Sequence, residues 1–210
     1  MATFEEMQTR IADDLNRPLA DFTTQIKKAI NRAVEFYEKE RFWFNENVWS
    51  FSASSGTEQV AFSAANTTDL KEIDEVTLTR SATDIYPMDA ILYSDFRKLA
   101  TSGTSNSQGA PFEYALFRNT WFFYPIPDQN YTVHVYGQRG YATLSASGDT
   151  NDFTAEAEDL IEARARWWLY QRVLKDVANA SLAKAEEAEA LSSLREKTVN
   201  LISTGRIKPA

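Results

Sequence analysis

The sequence of 210 residues contains no cysteine and a single histidine, His134. Without thiols it holds no disulfide scaffold, no thiolate zinc site, no iron–sulfur cluster and no cysteine nucleophile. That usage fits a reducing cytoplasm, or a particle assembled in one. Glycine (7) and proline (6) are too scarce for a collagen-like or low-complexity chain. No apolar run approaches the roughly 20 residues of a membrane span. The stretch Met1–Arg17 carries acids where a signal peptide carries basic residues, and it has no apolar segment. Neither membrane insertion nor secretion is expected. Basic residues are outnumbered, 22 Lys and Arg against 30 Asp and Glu, for a net charge of −8. Nonspecific binding of nucleic acid or of an anionic membrane needs a basic footprint, which this chain lacks. DNA passing nearby without being gripped is compatible with it.

What the chain does have is apolar and aromatic side chains: 43% hydrophobic residues, with 13 Phe, 9 Tyr and 5 Trp. A disordered chain lacks such a load, and 210 residues suffice to bury a real core as one domain or two small ones. The order of patterns gives an α+β fold. Helices at residues 1–45 and 151–204 form a helical body. A central antiparallel β-rich lobe spans 46–150, and 205–210 is a short basic tail.

In the first zone, a short amphipathic helix over Thr3–Leu15 stops before Pro18. A longer helix over Leu19–Arg41 follows, with Phe22, Ile26, Ile30, Ala33 and Tyr37 on one stripe. In the central zone, Trp49, Phe51 and Ala53 alternate with serines, and Ser54–Thr57 has turn chemistry. Val48–Ala53 and Glu58–Ser63 therefore read as a β-hairpin. Glu72–Arg80 with Asp84–Met88 reads as a second antiparallel pair. Ser94 is placed as the N-cap of a short helix ending at Ala100. Strands are expected over 112–118, 120–125 and 131–138. In the last zone, Thr154 is placed as the cap of a helix whose stripe runs Leu160, Ala163, Trp167, Tyr170, Leu174 and Val177. A bend is expected around Asp176–Ser181. A final helix over Leu182–Ser203 has a thin stripe of Leu182, Ala185, Leu191, Leu194, Leu201 and Ile202.

Catalytic chemistry is hard to find. His134 alternates with valines and reads as an ordinary sheet histidine rather than a triad base. No P-loop, GxGxxG, GxSxG or HExxH pattern occurs. Asp149–Phe153 lacks the glycine and one oxygen ligand of a calcium loop and reads as a helix-capping loop. Glu156, Glu158, Asp159 and Glu162 resemble a staged acid–base pair, but acids at a helix start stabilise the terminus in any case. Glu186, Glu187 and Glu189 read as a solvated face. Trp121, Phe122, Phe123 and Tyr124 read as core or subunit interface, because base stacking normally comes with a basic groove. Arg164, Arg166 and Arg172 flank Trp167 and Trp168 and are expected to pack their stems on them or to pair with acids. No catalytic, cofactor-binding or metal-ligating residue is assigned, and no enzyme activity is expected. The tail Gly205, Arg206, Ile207, Lys208 and Pro209 is either a plain exposed terminus or a peptide that folds onto a partner.

The order of several segments carries a resemblance. These are Ile30–Ala33, Arg41–Glu46, the strand Trp49-Ser-Phe-Ser, the Gly56 turn, Glu72–Val76 and Tyr86-Pro-Met88. Gly109-Ala-Pro-Phe-Glu-Tyr114, Tyr124-Pro-Ile-Pro-Asp128, Tyr131–Val133 and the Trp-rich helix up to Asp176 complete it. Over residues 20–205 the chain resembles the head–tail adaptor proteins of tailed bacteriophages. The resemblance implies a virion structural protein, assembled in the host cytoplasm, in a ring of about twelve copies. The ring would dock on the portal protein, lead to a tail or nozzle protein, and let DNA through a channel without sequence-specific binding. It implies portal contact by the tail, Gly205–Pro209. Surplus apolar helix surface points to a subunit interface at Trp167, Trp168, Tyr170 and Leu174. Ser105, Asn106 and Gln108 are candidates for a tail-component contact. A tail-associated glycan-binding β module and a carboxylate hydrolase using Glu156 or Glu158 are the competing readings.

Overall fold

A computed structural model of the chain describes residues 1–81, 83–101 and 107–204. Two helices open the chain, α1 (Phe4–Asp14) and α2 (Leu19–Tyr37), followed by a 3-10 turn (Trp43–Asn45). Then come β1 (Glu46–Ala53), β2 (Gln59–Ala61), β3 (Leu70–Ser81), β4 (Asp84–Pro87), β5 (Asp89–Ala90) and α3 (Tyr93–Thr101). Next are β6 (Gln108–Gly109), β7 (Glu113–Leu116), β8 (Thr120–Tyr124), β9 (Ile126–Pro127) and β10 (Tyr131–Arg139). Helices α4 (Asp152–Glu156) and α5 (Glu158–Leu169), a π-helical turn (Tyr170–Leu174) and α6 (Val177–Thr204) complete it. The fold is α+β. It divides into two compact units: a helical unit of Met1–Asn45 with the chain from Tyr141 onward, and a β unit of Glu46–Gly140.

In the helical unit, α1 begins with a reciprocal cap. Thr3 Oγ1 accepts from the Glu6 amide at 3.2 Å, and Glu6 Oε2 accepts from the Thr3 amide at 2.8 Å. The next free amides, Phe4 and Glu5, donate to the Asp149 and Ser147 carbonyls, so a distant loop satisfies the helix start. Phe4, Met7 and Ile11 of α1 and Ile26, Ile30 and Tyr37 of α2 are buried with Ile161 and Leu169 of α5. Each aliphatic chain so buried contributes about 1.5–3 kcal/mol. Helix α5 packs on both α2 and α6. Segment 141–150 packs here rather than with the strands. The Asn31 side chain accepts from the Leu144 amide at 2.8 Å and donates to its carbonyl at 2.9 Å.

Several local expectations change. Asn151, not Thr154, caps α4; Thr154 is its reciprocal partner three residues on. Helix α3 starts at Tyr93, so Ser94 lies inside its first turn. The chain breaks between α5 and α6 earlier than the sequence pattern suggests. After the π turn, Lys175 adopts φ 55°, a left-handed conformation that ends helices. Asp176 then caps α6 by accepting from the Asn179 amide at 3.1 Å. Val177 and Leu182 are consequently exposed, and the buried line of α6 is Ala180, Ala183, Glu187, Leu194 and Thr198.

In the β unit, one four-stranded sheet has the order β1-β10-β3-β4 and a second has β2-β8-β7-β5. Both contribute inward side chains to one core: Trp49 and Phe51 from β1, Val76 and Leu78 from β3, Trp121 and Phe123 from β8, and Val133 and Val135 from β10. The antiparallel β3–β4 pair is present. The β1–β2 hairpin is not. Strand β1 pairs with β10, with Glu46 opposite Gln138, while β2 pairs with β8. The Gly56 turn (φ 72°) thus carries the chain from one sheet to the other. Two short pairs, β5–β7 and β6–β9, are parallel. At the bulge after Tyr136, a side chain on Gly137 would collide with the Glu72 carbonyl, so only glycine fits.

Candidate functional site

Side chains of α2, α5 and α6 converge in the helical unit on Glu187. Only 2% of this residue is exposed. Its carboxylate accepts from the Tyr37 hydroxyl at 2.5 Å, from Arg164 Nη1 at 2.9 Å and from Lys184 Nζ at 2.9 Å. A buried carboxylate is tolerated when charge-assisted bonds replace its water shell. Burial, and then the neighbouring carboxylate, push the Tyr37 phenol well above its ordinary value, so it stays a donor. Glu187 therefore does not belong to a solvated face.

A second ionic group joins α1, α5 and α6. Arg10 pairs with Glu158 and lies 3.6 Å from Glu162; Arg166 pairs with Asp14 at 3.1 Å and with Glu186 at 2.9 Å. Burial pushes the Glu162 carboxyl up to about 7, against the pull of Arg10 and Arg166. Glu156 pairs with Lys197 at 3.0 Å. The acids that resembled a catalytic pair are thus engaged as structural ion pairs, apart from Asp159, which is exposed. His134 Nδ1 lies 2.7 Å from Ser50 Oγ, its cross-strand neighbour, and no carboxylate bonds to either among the described residues. No cluster of three or more His, Cys, Asp or Glu able to hold a metal ion occurs among the described residues. No helix there is long and apolar enough to cross a membrane.

The helical unit carries a groove of about 560 Å³ between α2 and α5. Arg32 and Phe36 of α2 and Lys39 from the turn after it line one side, with Arg164, Trp167, Trp168 and Arg172 opposite. Glu35 is the sole acid in the lining. Phe36 is 47% exposed. The Arg164 guanidinium lies 3.8 Å from the centre of the Phe36 ring and 4.4 Å from that of Trp167. Arg32 lies 5.2 Å from Trp168. Cations on aromatic faces add about 0.5–1 kcal/mol each when exposed and hold the rings in place. Arg164 and Arg166 do pack or pair as anticipated. Arg32, Lys39 and Arg172 are exposed and have no acidic partner among the described residues.

The structure places Trp167 and Trp168 in this groove, half-buried. Tyr170 and Leu174 lie on the π turn; the Tyr170 hydroxyl donates to the Asp14 carbonyl at 3.3 Å, and Leu174 packs against the core. Gln108, in β6, is exposed and pairs with Ile126. Ser105, Asn106 and the tail Gly205–Pro209 lie outside the described residues. Trp121 and Phe123 are fully buried, which removes them as a platform for bases or sugars. The sequence reading missed the side of the groove formed by Arg32, Phe36 and Lys39; the signal was the four-residue spacing of Phe36 from Arg32.

The model of one protein family, described as SU10 adaptor protein, matches residues 2–207. No curated protein matches the chain.

Proposed function

Because this chain belongs to the SU10 adaptor protein family, and so to the phage head–tail adaptors it resembles, we propose that it forms a ring between portal and tail. The ring docks on the portal protein, receives a tail or nozzle protein, and leaves a channel through which DNA is retained and then ejected. It performs no covalent chemistry and acts as part of the virion. The observation that carries this reading is the family match along nearly the whole chain.

Physical features support it. A net charge of −8 suits a conduit in which DNA must slide, since neutralising many phosphates would hold it back. The half-exposed aromatics Phe36, Trp167 and Trp168 suit lateral packing, in which each copy presents two different surfaces and rotation closes the ring. Trp167, Trp168, Tyr170 and Leu174 are assigned to this subunit contact. Gly205, Arg206, Ile207, Lys208 and Pro209 are assigned to the portal, and Ser105, Asn106 and Gln108 to a tail component.

Electron micrographs of the purified chain mixed with portal-bearing capsids test the proposal. Rotationally symmetric density added at the portal vertex is expected. Capsids that emerge unchanged, with the chain left free, overturn it. Removal of residues 205–210 is expected to weaken capsid binding without altering the circular dichroism of the chain. Full binding by the truncated chain refutes the tail assignment.

A further inference from the structure

Copies that each carry a charge of −8 repel one another. A lateral contact between them therefore needs local complementarity strong enough to oppose the overall field. The α2–α5 groove is one half of such a pair, because it gathers unpaired cations around half-exposed rings on an acidic protein.

The other half lies on α6. Leu182, Glu189 and Glu196 recur at seven-residue steps and share one face of this helix. That face points away from the buried line through Ala183, Glu187, Leu194 and Thr198. All three are exposed, Leu182 as a large apolar side chain, and neither acid has a cationic partner among the described residues. Seven residues of helix rise about 10 Å. Arg32 on α2 and Lys39, in the turn that follows α2, bring two cations to the groove, and the acidic face brings two carboxylates. The groove and the acidic face share no residue.

We propose that the occupant of the α2–α5 groove is the α6 acidic face of the next copy of this chain. Glu189 and Glu196 would meet Lys39 and Arg32. Since groove and face differ, the contact is heterologous and propagates from copy to copy. This rests on the ring reading and specifies which surfaces close the ring. It also puts the longest helix at the seam between neighbours.

Charge reversal in trans tests it. One variant carries Arg32→Glu with Lys39→Glu; a second carries Glu189→Lys with Glu196→Lys. Assembly is followed by analytical ultracentrifugation and electron microscopy, with and without portal-bearing capsids. Each variant alone is expected to lose the ring. An equimolar mixture is expected to recover it, because the reversed groove of one variant then faces the reversed helix of the other. Recovery in the mixture also shows that both variants are folded. Rings that persist in both single variants overturn this inference and leave the ring reading standing. So does a mixture that fails to recover while each variant keeps the wild-type circular dichroism spectrum, or reversals that reduce capsid binding but not ring formation. A wild-type chain that forms no ring under either condition overturns the ring reading and this inference together.

Discussion

Glu162 offers a quantitative check on the helical unit. Its carboxylate sits on α5 with 8% of the residue exposed, and its Oε1 has no hydrogen-bond donor. The nearest cation, Arg10, lies 3.6 Å away and also pairs with Glu158. Two effects oppose each other. Desolvation disfavours the charged form, whereas Arg10 and Arg166 favour it. Desolvation wins, and the folded value is pushed up from 4.5 to about 7. Between those values the native state binds more protons at this site than the unfolded chain. The linkage slope is then negative: the contribution is complete below about pH 4 and is lost as pH rises through about 7. The gap corresponds to roughly 3 kcal/mol. Glu162→Gln keeps the shape and removes the charge. Relative to wild type, the variant is expected to match it at about pH 4 and to be more stable by up to about 3 kcal/mol at about pH 8. Urea denaturation followed by far-ultraviolet circular dichroism, which reports mainly on the helices, measures the difference across this range. A wild type that gains stability over the variant as pH rises would refute the reasoning. It would mean that the two arginines outweigh the desolvation.

Three further substitutions probe the same architecture. Tyr37→Phe removes the hydroxyl that donates to Glu187 at 2.5 Å and is expected to destabilise by about 1–3 kcal/mol in denaturant titrations. Asn31→Ala removes both bonds to the Leu144 backbone. It should cost about 2 kcal/mol and accelerate proteolysis in segment 141–150, which limited digestion would detect. Gly137→Ala drives a methyl group into the Glu72 carbonyl in the β unit. A loss of about 2 kcal/mol or more is expected, visible as a lower thermal midpoint.

Features with a local period were legible in the sequence. Ile26, Ile30, Ala33 and Tyr37 lie on the buried face of α2, and Trp49, Phe51 and Ala53 alternate inward on β1. The choice of partner was not legible, because it depends on residues far along the chain. Turn chemistry at Ser54–Thr57 suggested a hairpin, yet β1 pairs with β10, more than seventy residues away. Nor does local pattern give the start of α6. It depends on a left-handed Lys175 and a cap from Asp176, neither of which alters hydrophobic spacing. Glu187 was misread for a related reason. A run of glutamates resembles a wet face until Tyr37, Arg164 and Lys184 are brought to one of them. In the candidate interface, the tryptophans were conspicuous. The cations Arg32 and Lys39 opposite them became meaningful only once α2 and α5 were side by side.

The β unit leaves and re-enters the helical sequence through strands that lie next to each other, Glu46 being opposite Gln138. An excursion of 95 residues with neighbouring ends is a cassette: its two threads can be cut and rejoined without pulling on the remaining chain. A lineage could exchange that cassette wholesale while conserving the helical unit into whose sequence it is inserted. Selection would then act on the two parts at different rates.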